Sequence, residues 1–168
     1  AESGVAFGES EKATKAHRIL ADHGRGMTFL VGDGVVPSNE GRGYVLRRII
    51  RRAVQQARTI GLDDLWRMTD VVAEQMGPWY PELVERRERI QEIVKAEEER
   101  FSQTLERGLK LFEEVAAKAA ISGEDAFLLH DTYGFPLELT RELALERGIT
   151  IDEETFTRLM SEQRERSR

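Results

Sequence analysis

The chain has 168 residues, of which 40% are hydrophobic and 33% are charged, and it contains no cysteine. This composition is typical of a globular protein, and it excludes a disordered chain, a disulfide framework and a thiol nucleophile. No run of about 18 apolar residues occurs, so we expect no membrane span. The net charge of −6 is unevenly distributed, because residues 37–60 contain six Arg and one Glu. This basic segment therefore carries most of the functional information.

The spacing of apolar residues predicts an all-α fold with a cluster of short helices at the C-terminal end. We expect residues 163–168 to fray and Gly108 to kink the long fourth helix, whose acidic and basic first half extends into solvent or packs against a neighbour. The break at 77–81 is a candidate point of subdivision. The predicted helices span about 11–31, 40–60, 63–76, 82–120, 123–132, 136–147 and 153–162.

Capping residues support these boundaries. Ser38 or Asn39 is the expected N-cap of the second helix, and Gly61 suits the position after its end. Ser122 and Asp152 are the expected N-caps of two later helices. We predict Pro136 at the first position of the helix that follows the 133–136 turn.

The second helix is strongly amphipathic. Its apolar residues follow one helical stripe, and five arginines are expected on a solvated opposite face. The residues alone leave two interpretations open: a face that binds the backbone of RNA or DNA, or a face paired with acidic residues from the C-terminal half. The single Glu in 37–60 slightly favours the first, because a guanidinium group binds phosphate bidentately. The five are Arg42, Arg47, Arg48, Arg51 and Arg52.

The second informative segment reads HDTYGFP at residues 130–136. Asp131 lies at a helix end, where the negative end of the helix dipole disfavours a carboxylate. One interpretation is a turn in which Asp131 caps Tyr133 or Gly134. The other is an acceptor that recognises a donor on a base edge or a substrate.

No catalytic constellation is evident in these residues. The Gly-rich segments at 32–34 and 41–43 do not follow a predicted strand and lack the phosphate-loop pattern. His17, His23 and His130 show no metal-ligand spacing. We therefore predict no catalytic residue and no metal site within this chain.

Two motifs together resemble the alanyl-tRNA synthetase (alanine–tRNA ligase) family, in its bacterial type. They read PSNEGRGYVLRRIIRRA at residues 37–53 and HDTYGFPLELTRE at residues 130–142, and residues 21–23 and 32–35 fit the same family. The resemblance covers residues 16–168, which would form a helical tRNA-recognition domain, whereas residues 1–15 match poorly.

The resemblance implies specific partners and site residues. Asn39 and Asp131 would recognise a G·U wobble pair in the acceptor stem of the alanine-specific tRNA, and the five arginines would hold the RNA backbone. The class II catalytic core would lie in the same polypeptide, and the whole enzyme would be cytoplasmic. It would use ATP with Mg and carry zinc outside this region, so we expect no cofactor bound here.

A different class of function is also compatible with the sequence. The long helix at 82–120 could serve as the surface of a helical protein-interaction or coiled-coil module that binds no RNA. RNA binding and self-association distinguish the two hypotheses.

Overall fold

The computed structural model describes residues 3–168, which form an almost entirely helical fold. Two compact units divide the chain, Ala1–Arg100 and Phe101–Arg168. A 3₁₀ helix spans Leu65–Arg67. The remaining elements are α1 (Glu11–Gly32), α2 (Gly41–Thr59), α3 (Met68–Met76), α4 (Pro81–Glu85), α5 (Arg87–Ala116), β1 (Ala120–Ile121), α6 (Gly123–Asp131), α7 (Leu137–Glu146), β2 (Thr150–Ile151) and α8 (Glu153–Arg166).

The first unit is built around the packing of α1 on α2. Ser10 caps α1 by accepting a hydrogen bond from the Ala13 amide at 3.0 Å. Gly24 lets α3 approach closely, since a Cβ at that position would lie 2.9 Å from Cε of Met68. The core of this unit contains Ala16, Leu20, Met27, Leu46, Ile50, Ala53, Leu65, Leu83, Ile90 and Val94.

The second unit contains the end of α5 and the short helices α6, α7 and α8. Its core includes Phe101, Leu105, Phe112, Ile121, Leu129 and Phe135. The strands β1 and β2 form a two-residue parallel ladder, in which Ala120 pairs with Thr150 and Ile121 with Ile151. Ser122 and Asp152 accept hydrogen bonds from the amides of Asp125 and Thr155, so both predicted N-caps are confirmed.

The all-α prediction is confirmed, with differences in several boundaries. The predicted long helix is shorter than expected, because it is interrupted at Arg86 and ends at Ala116. Helix α5 runs through Gly108, and α8 continues to Arg166, so residues 163–166 are helical rather than frayed. Pro136 precedes α7 rather than beginning it. Among the residues that the structure describes, no helix is long and apolar enough to cross a membrane.

Candidate nucleic-acid interface

The basic segment folds into α2, whose apolar stripe packs inward as the sequence predicts. Leu46, Ile50 and Ala53 are fully buried. Gly61 follows the helix with a positive φ of 68°, which confirms its predicted terminal role. Because the apolar stripe occupies one side, the arginines of α2 must leave the helix from its flanks and its opposite side.

A buried carboxylate organises two of these arginines. Glu97, on the part of α5 in the first unit, has only 2% of its side chain exposed. Its Oε1 accepts hydrogen bonds from Nε of Arg47 and from Nε of Arg51, each at 2.9 Å. Nη1 of Arg100 lies 3.7 Å from the other carboxylate oxygen. Glu97 thus holds the middle of α2 by charge-assisted hydrogen bonds.

The Arg51 guanidinium is buried, and the loss of contact with water changes its pKa. Burial lowers the pKa of the Arg51 guanidinium below its ordinary value, and the Coulombic effects of Arg47 and Arg100 lower it further. The charge of Glu97 and its hydrogen bond to Arg51 act in the opposite direction. Glu97 therefore favours the charged form of an arginine that burial disfavours.

The expectation of a single solvated arginine face is wrong for Arg47 and Arg51. Their side chains are 14% and 10% exposed and are paired with Glu97. The acidic partner that seemed to be lacking near α2 comes from α5, 46 and 50 positions away in the sequence. Helix α2 thus carries both a buried structural ion cluster and an outer group of arginines.

The outer group consists of the other three predicted arginines. Arg42 is exposed in the first turn of α2, whereas Arg48 and Arg52 are half-buried. Arg52 lies near α1, where its Nη1 is 3.3 Å from Nε2 of His23. Nδ1 of the same His23 ring lies 3.0 Å from Asp22.

Arg52 also lines an open groove of about 620 Å³ along α1. This groove extends the basic surface from α2 onto α1, since it contains three cations and one carboxylate. Its lining residues are Glu11, Thr14, Lys15, Arg18, Ile19 and Arg52.

Asn39 lies in the loop that leads into α2. It does not cap the helix, and neither does Ser38, because the N-cap position is occupied by Glu40 without a side-chain hydrogen bond. Instead, the exposed Asn39 accepts a hydrogen bond at Oδ1 from Nη1 of Arg47.

The loop that contains Asn39 packs closely against Gly43 of α2. A Cβ at this position would lie 2.5 Å from the carbonyl oxygen of Val36. Glycine at 43 is therefore required by close approach.

Asp131 lies in the second unit, at the end of α6. Its exposed carboxylate accepts a hydrogen bond at Oδ1 from Nε2 of Gln163 on α8.

The turn that follows Asp131 packs on α5. A Cβ at Gly108 of α5 would lie 2.7 Å from Cζ of Phe135 in this turn. The Thr104 hydroxyl donates to the carbonyl of Tyr133 at 2.7 Å. The absence of a side chain at Gly108 thus allows the turn to pack closely against α5.

The two predicted base-recognising residues are each held by one donor within their own unit. Arg47 holds Asn39 in the first unit, and Gln163 holds Asp131 in the second.

The sequence analysis did not identify Glu97 or Gln163 as residues of the site. Periodicity could have found them, because Glu97 lies three residues after Val94 and four before Phe101, on the buried stripe of α5. Gln163 continues the inner stripe of Phe156 and Met160 in the same way.

Within residues 3–168, no group of three or more His, Cys, Asp or Glu side chains could hold a metal ion.

The whole chain is similar to proteins of one known family. The model of the family described as tRNA synthetases class II (A) matches residues 1–168, so the first fifteen residues lie within the match. An alanine–tRNA ligase from Thermotoga petrophila is 49% identical over 169 residues, which cover 99% of this chain and 20% of that protein. The alanine–tRNA ligases of Pelotomaculum thermopropionicum and Geobacillus kaustophilus are each 48% identical, over 98% and 99% of this chain. The chain spans 20% of the length of these relatives.

Proposed function

The chain belongs to the class II (A) tRNA synthetase family, and from this premise we propose that it is the helical part of an alanine–tRNA ligase that binds the tRNA acceptor stem. One observation carries the proposal. The basic helix α2 holds Asn39 at its N-terminal end through Arg47, so a polar side chain suited to a base edge lies beside cations suited to phosphates. The whole polypeptide would attach alanine to its tRNA with ATP, at a class II catalytic core outside these residues.

Cofactors belong to other parts of the proposed enzyme. ATP with Mg, and zinc, would bind to parts of the polypeptide outside this chain. The role of this chain in the reaction would be to bind the RNA and direct its end toward the catalytic core.

Asn39 and Asp131 would recognise the G·U wobble pair of the stem. The minor groove of A-form RNA is wide and shallow, which makes base edges there accessible to side chains. The guanine 2-amino group is a donor in that groove, and the Asp131 carboxylate is an acceptor. Exposure of both side chains in the structure supports this assignment.

The arginines would then divide into two groups. We propose that Arg42, Arg48 and Arg52 contact phosphates, which positions the stem without specifying its sequence. Arg47 and Arg51 would act mainly through Glu97, by fixing α2 and the Asn39 loop. Their charges still contribute to the electrostatic potential that attracts RNA.

The competing hypothesis of a coiled-coil module is weakened by the packing of α5. The apolar residues at 90 and 94 are buried in the first unit, and those at 101 and 105 are buried in the second. These positions form the stripe that a coiled coil would use, so the chain already covers it.

A gel-shift titration beside a sizing column tests the proposal. We expect the 168-residue chain to shift a minihelix carrying the G·U acceptor stem more strongly than a matched G·C minihelix. Equal shifts at all concentrations would contradict wobble-pair recognition. Self-association that depends on concentration, without any RNA shift, would support the interaction module instead.

A further inference from the structure

The contacts around Asn39 form a relay that begins in the core of the first unit. Glu97 accepts from Nε of Arg47 at 2.9 Å, and Nη1 of Arg47 donates to Oδ1 of Asn39. We propose that Glu97 is a positioning residue for base recognition, which sets the orientation of the Asn39 amide through Arg47. This inference rests on the proposed function and adds a specificity-determining residue to it.

The direction of the amide follows from hydrogen-bond chemistry. A guanidinium group has only donors, so the group that faces Arg47 must be the amide oxygen of Asn39. The amide nitrogen then points away from Arg47, and the residue is exposed. Asn39 therefore presents two donors to RNA, although an amide in isolation can donate or accept.

This orientation narrows what Asn39 can recognise. In the minor groove the acceptors on the base edges are a pyrimidine O2 and a purine N3. Under the proposed function, Asn39 would then donate to such an acceptor, while Asp131 would accept from the guanine amino group. The two residues would therefore have opposite roles, one as a donor and one as an acceptor.

Glu97 is needed because Arg47 alone is a flexible side chain. An arginine on a helix surface loses rotamer freedom when it is held in one geometry, so a second contact must fix it. Glu97 makes that contact from a buried site, and it also binds Arg51 on the next turn of α2. Without the carboxylate, Arg47 and Arg51 would repel each other at a spacing of four residues.

The backbone of the loop completes the arrangement. Gly43 allows the loop to lie against α2, because a Cβ there would be 2.8 Å from Cβ of Ser38. The Ser38 hydroxyl donates to the Glu40 carbonyl at 2.9 Å. The close packing at Gly43 therefore fixes the backbone of the Asn39 loop, and the hydrogen bond from Arg47 fixes the Asn39 side chain.

Binding of G·U and G·C minihelices to the full 168-residue chain tests the relay. We expect Glu97→Gln to reduce the G·U preference by about tenfold, and to cause no further reduction when Asn39 is already Ala. Glu98→Gln is the matched control, since this adjacent carboxylate binds the amides of Leu65 and Trp66. The preference of the Glu98→Gln chain for G·U over G·C should stay within about twofold of the wild-type preference.

A merely structural role for Glu97 predicts a different pattern. In that case Glu97→Gln would reduce the preference equally with and without Asn39, which would overturn the relay. An unchanged preference in Glu97→Gln, together with a reduced one in Asn39→Ala, would also overturn it. Arg47→Lys is a second variant in case Glu97→Gln does not fold, because lysine carries all its donors on one nitrogen and cannot reproduce the separate contacts of Nε with Glu97 and of Nη1 with Asn39.

A measurement without RNA separates this inference from the proposed function. We expect the ¹⁵N–¹H side-chain signals of Asn39 to shift in Glu97→Gln and to stay unchanged in Glu98→Gln. Unshifted signals in both variants would overturn the relay. A wild-type chain with no preference for G·U would overturn the proposed function, and the NMR result would still decide whether Glu97 orients Asn39.

Discussion

Arg51 donates its Nε proton to Oε1 of Glu97 at 2.9 Å, and the two side chains are 10% and 2% exposed. Arg51 belongs to the arginine face that the family resemblance assigns to the RNA backbone, yet its guanidinium lies inside the first unit. Removing one member of a buried ion pair leaves the other charge uncompensated. Substitutions on α2 therefore separate into those that affect folding and those that affect binding.

We predict that Arg51→Met destabilises the chain by about 3 kcal/mol, because Glu97 loses its most deeply buried partner. The measurement is the free energy of unfolding from a urea titration. Arg42→Met is the matched control on the same helix, with an expected change below about 0.5 kcal/mol because Arg42 is exposed. Equal unfolding free energies for the two variants would contradict the account of Glu97.

Arg42→Ala should act on binding rather than on folding. We expect it to weaken G·U and G·C minihelices alike and to flatten the slope of log K against log salt by about one, because one phosphate contact is lost. Binding titrations over a series of salt concentrations measure this slope. Arg67→Ala removes the same charge from an exposed site outside α2 and should leave the slope unchanged. A wild-type slope in Arg42→Ala would remove Arg42 from the phosphate contacts.

Gln163 is expected to affect selectivity through Asp131. Gln163→Ala removes the donor that holds Oδ1 of Asp131, so the G·U preference should fall by about threefold. Gln163→Glu should reduce it further, because a second carboxylate offers no donor to Asp131 and repels its carboxylate. Competition binding with G·U and G·C minihelices measures the effect. Gln103→Ala, an exposed site on α5, is the control, and Gln163 has no role if both alanine variants match wild type.

The stability of the chain should depend on pH through Glu98. Burial raises the pKa of the Glu98 carboxyl above its ordinary 4.5, although hydrogen bonds from the Trp66 and Leu65 amides oppose the shift. The folded state then binds this proton more tightly than the unfolded state. The contribution of Glu98 to the free energy of unfolding should therefore fall as pH rises above 4.5 through the raised pKa.

Glu98→Gln lacks this titration and provides the comparison. Urea unfolding of both proteins over roughly pH 4 to 8 measures the difference in their unfolding free energies. We expect wild type to lose stability relative to the variant as pH rises through the window. A difference that is constant, or that changes in favour of wild type, would contradict the shifted pKa.

Much of the fold was predictable because local signals agree with the packing. The apolar stripe of α2 and the caps at Ser122 and Asp152 depend on residues close in sequence, and the structure confirms them. Gly108 was harder to interpret from the sequence, because a helical glycine can mark a kink or allow a close approach. Only the distant turn at Phe135 shows that it is a close approach.

The candidate site was predictable to a lesser degree. The positions of Asn39 and Asp131 in polar turns stood out, but their partners Arg47 and Gln163 depend on tertiary contacts. A charged residue in an acidic run is ordinarily exposed, so Glu97 gave no sign of burial beyond its place on the α5 stripe. The roles of these residues in RNA recognition stay predictions.

The most direct test of wobble-pair recognition changes one functional group of the RNA. Inosine lacks the 2-amino group that Asp131 is proposed to accept from, so G·U and I·U minihelices differ only there. We predict that the wild-type chain prefers G·U over I·U by about 1–3 kcal/mol and that Asp131→Ala loses this preference. Equal binding of the two minihelices by the wild-type chain would contradict the account.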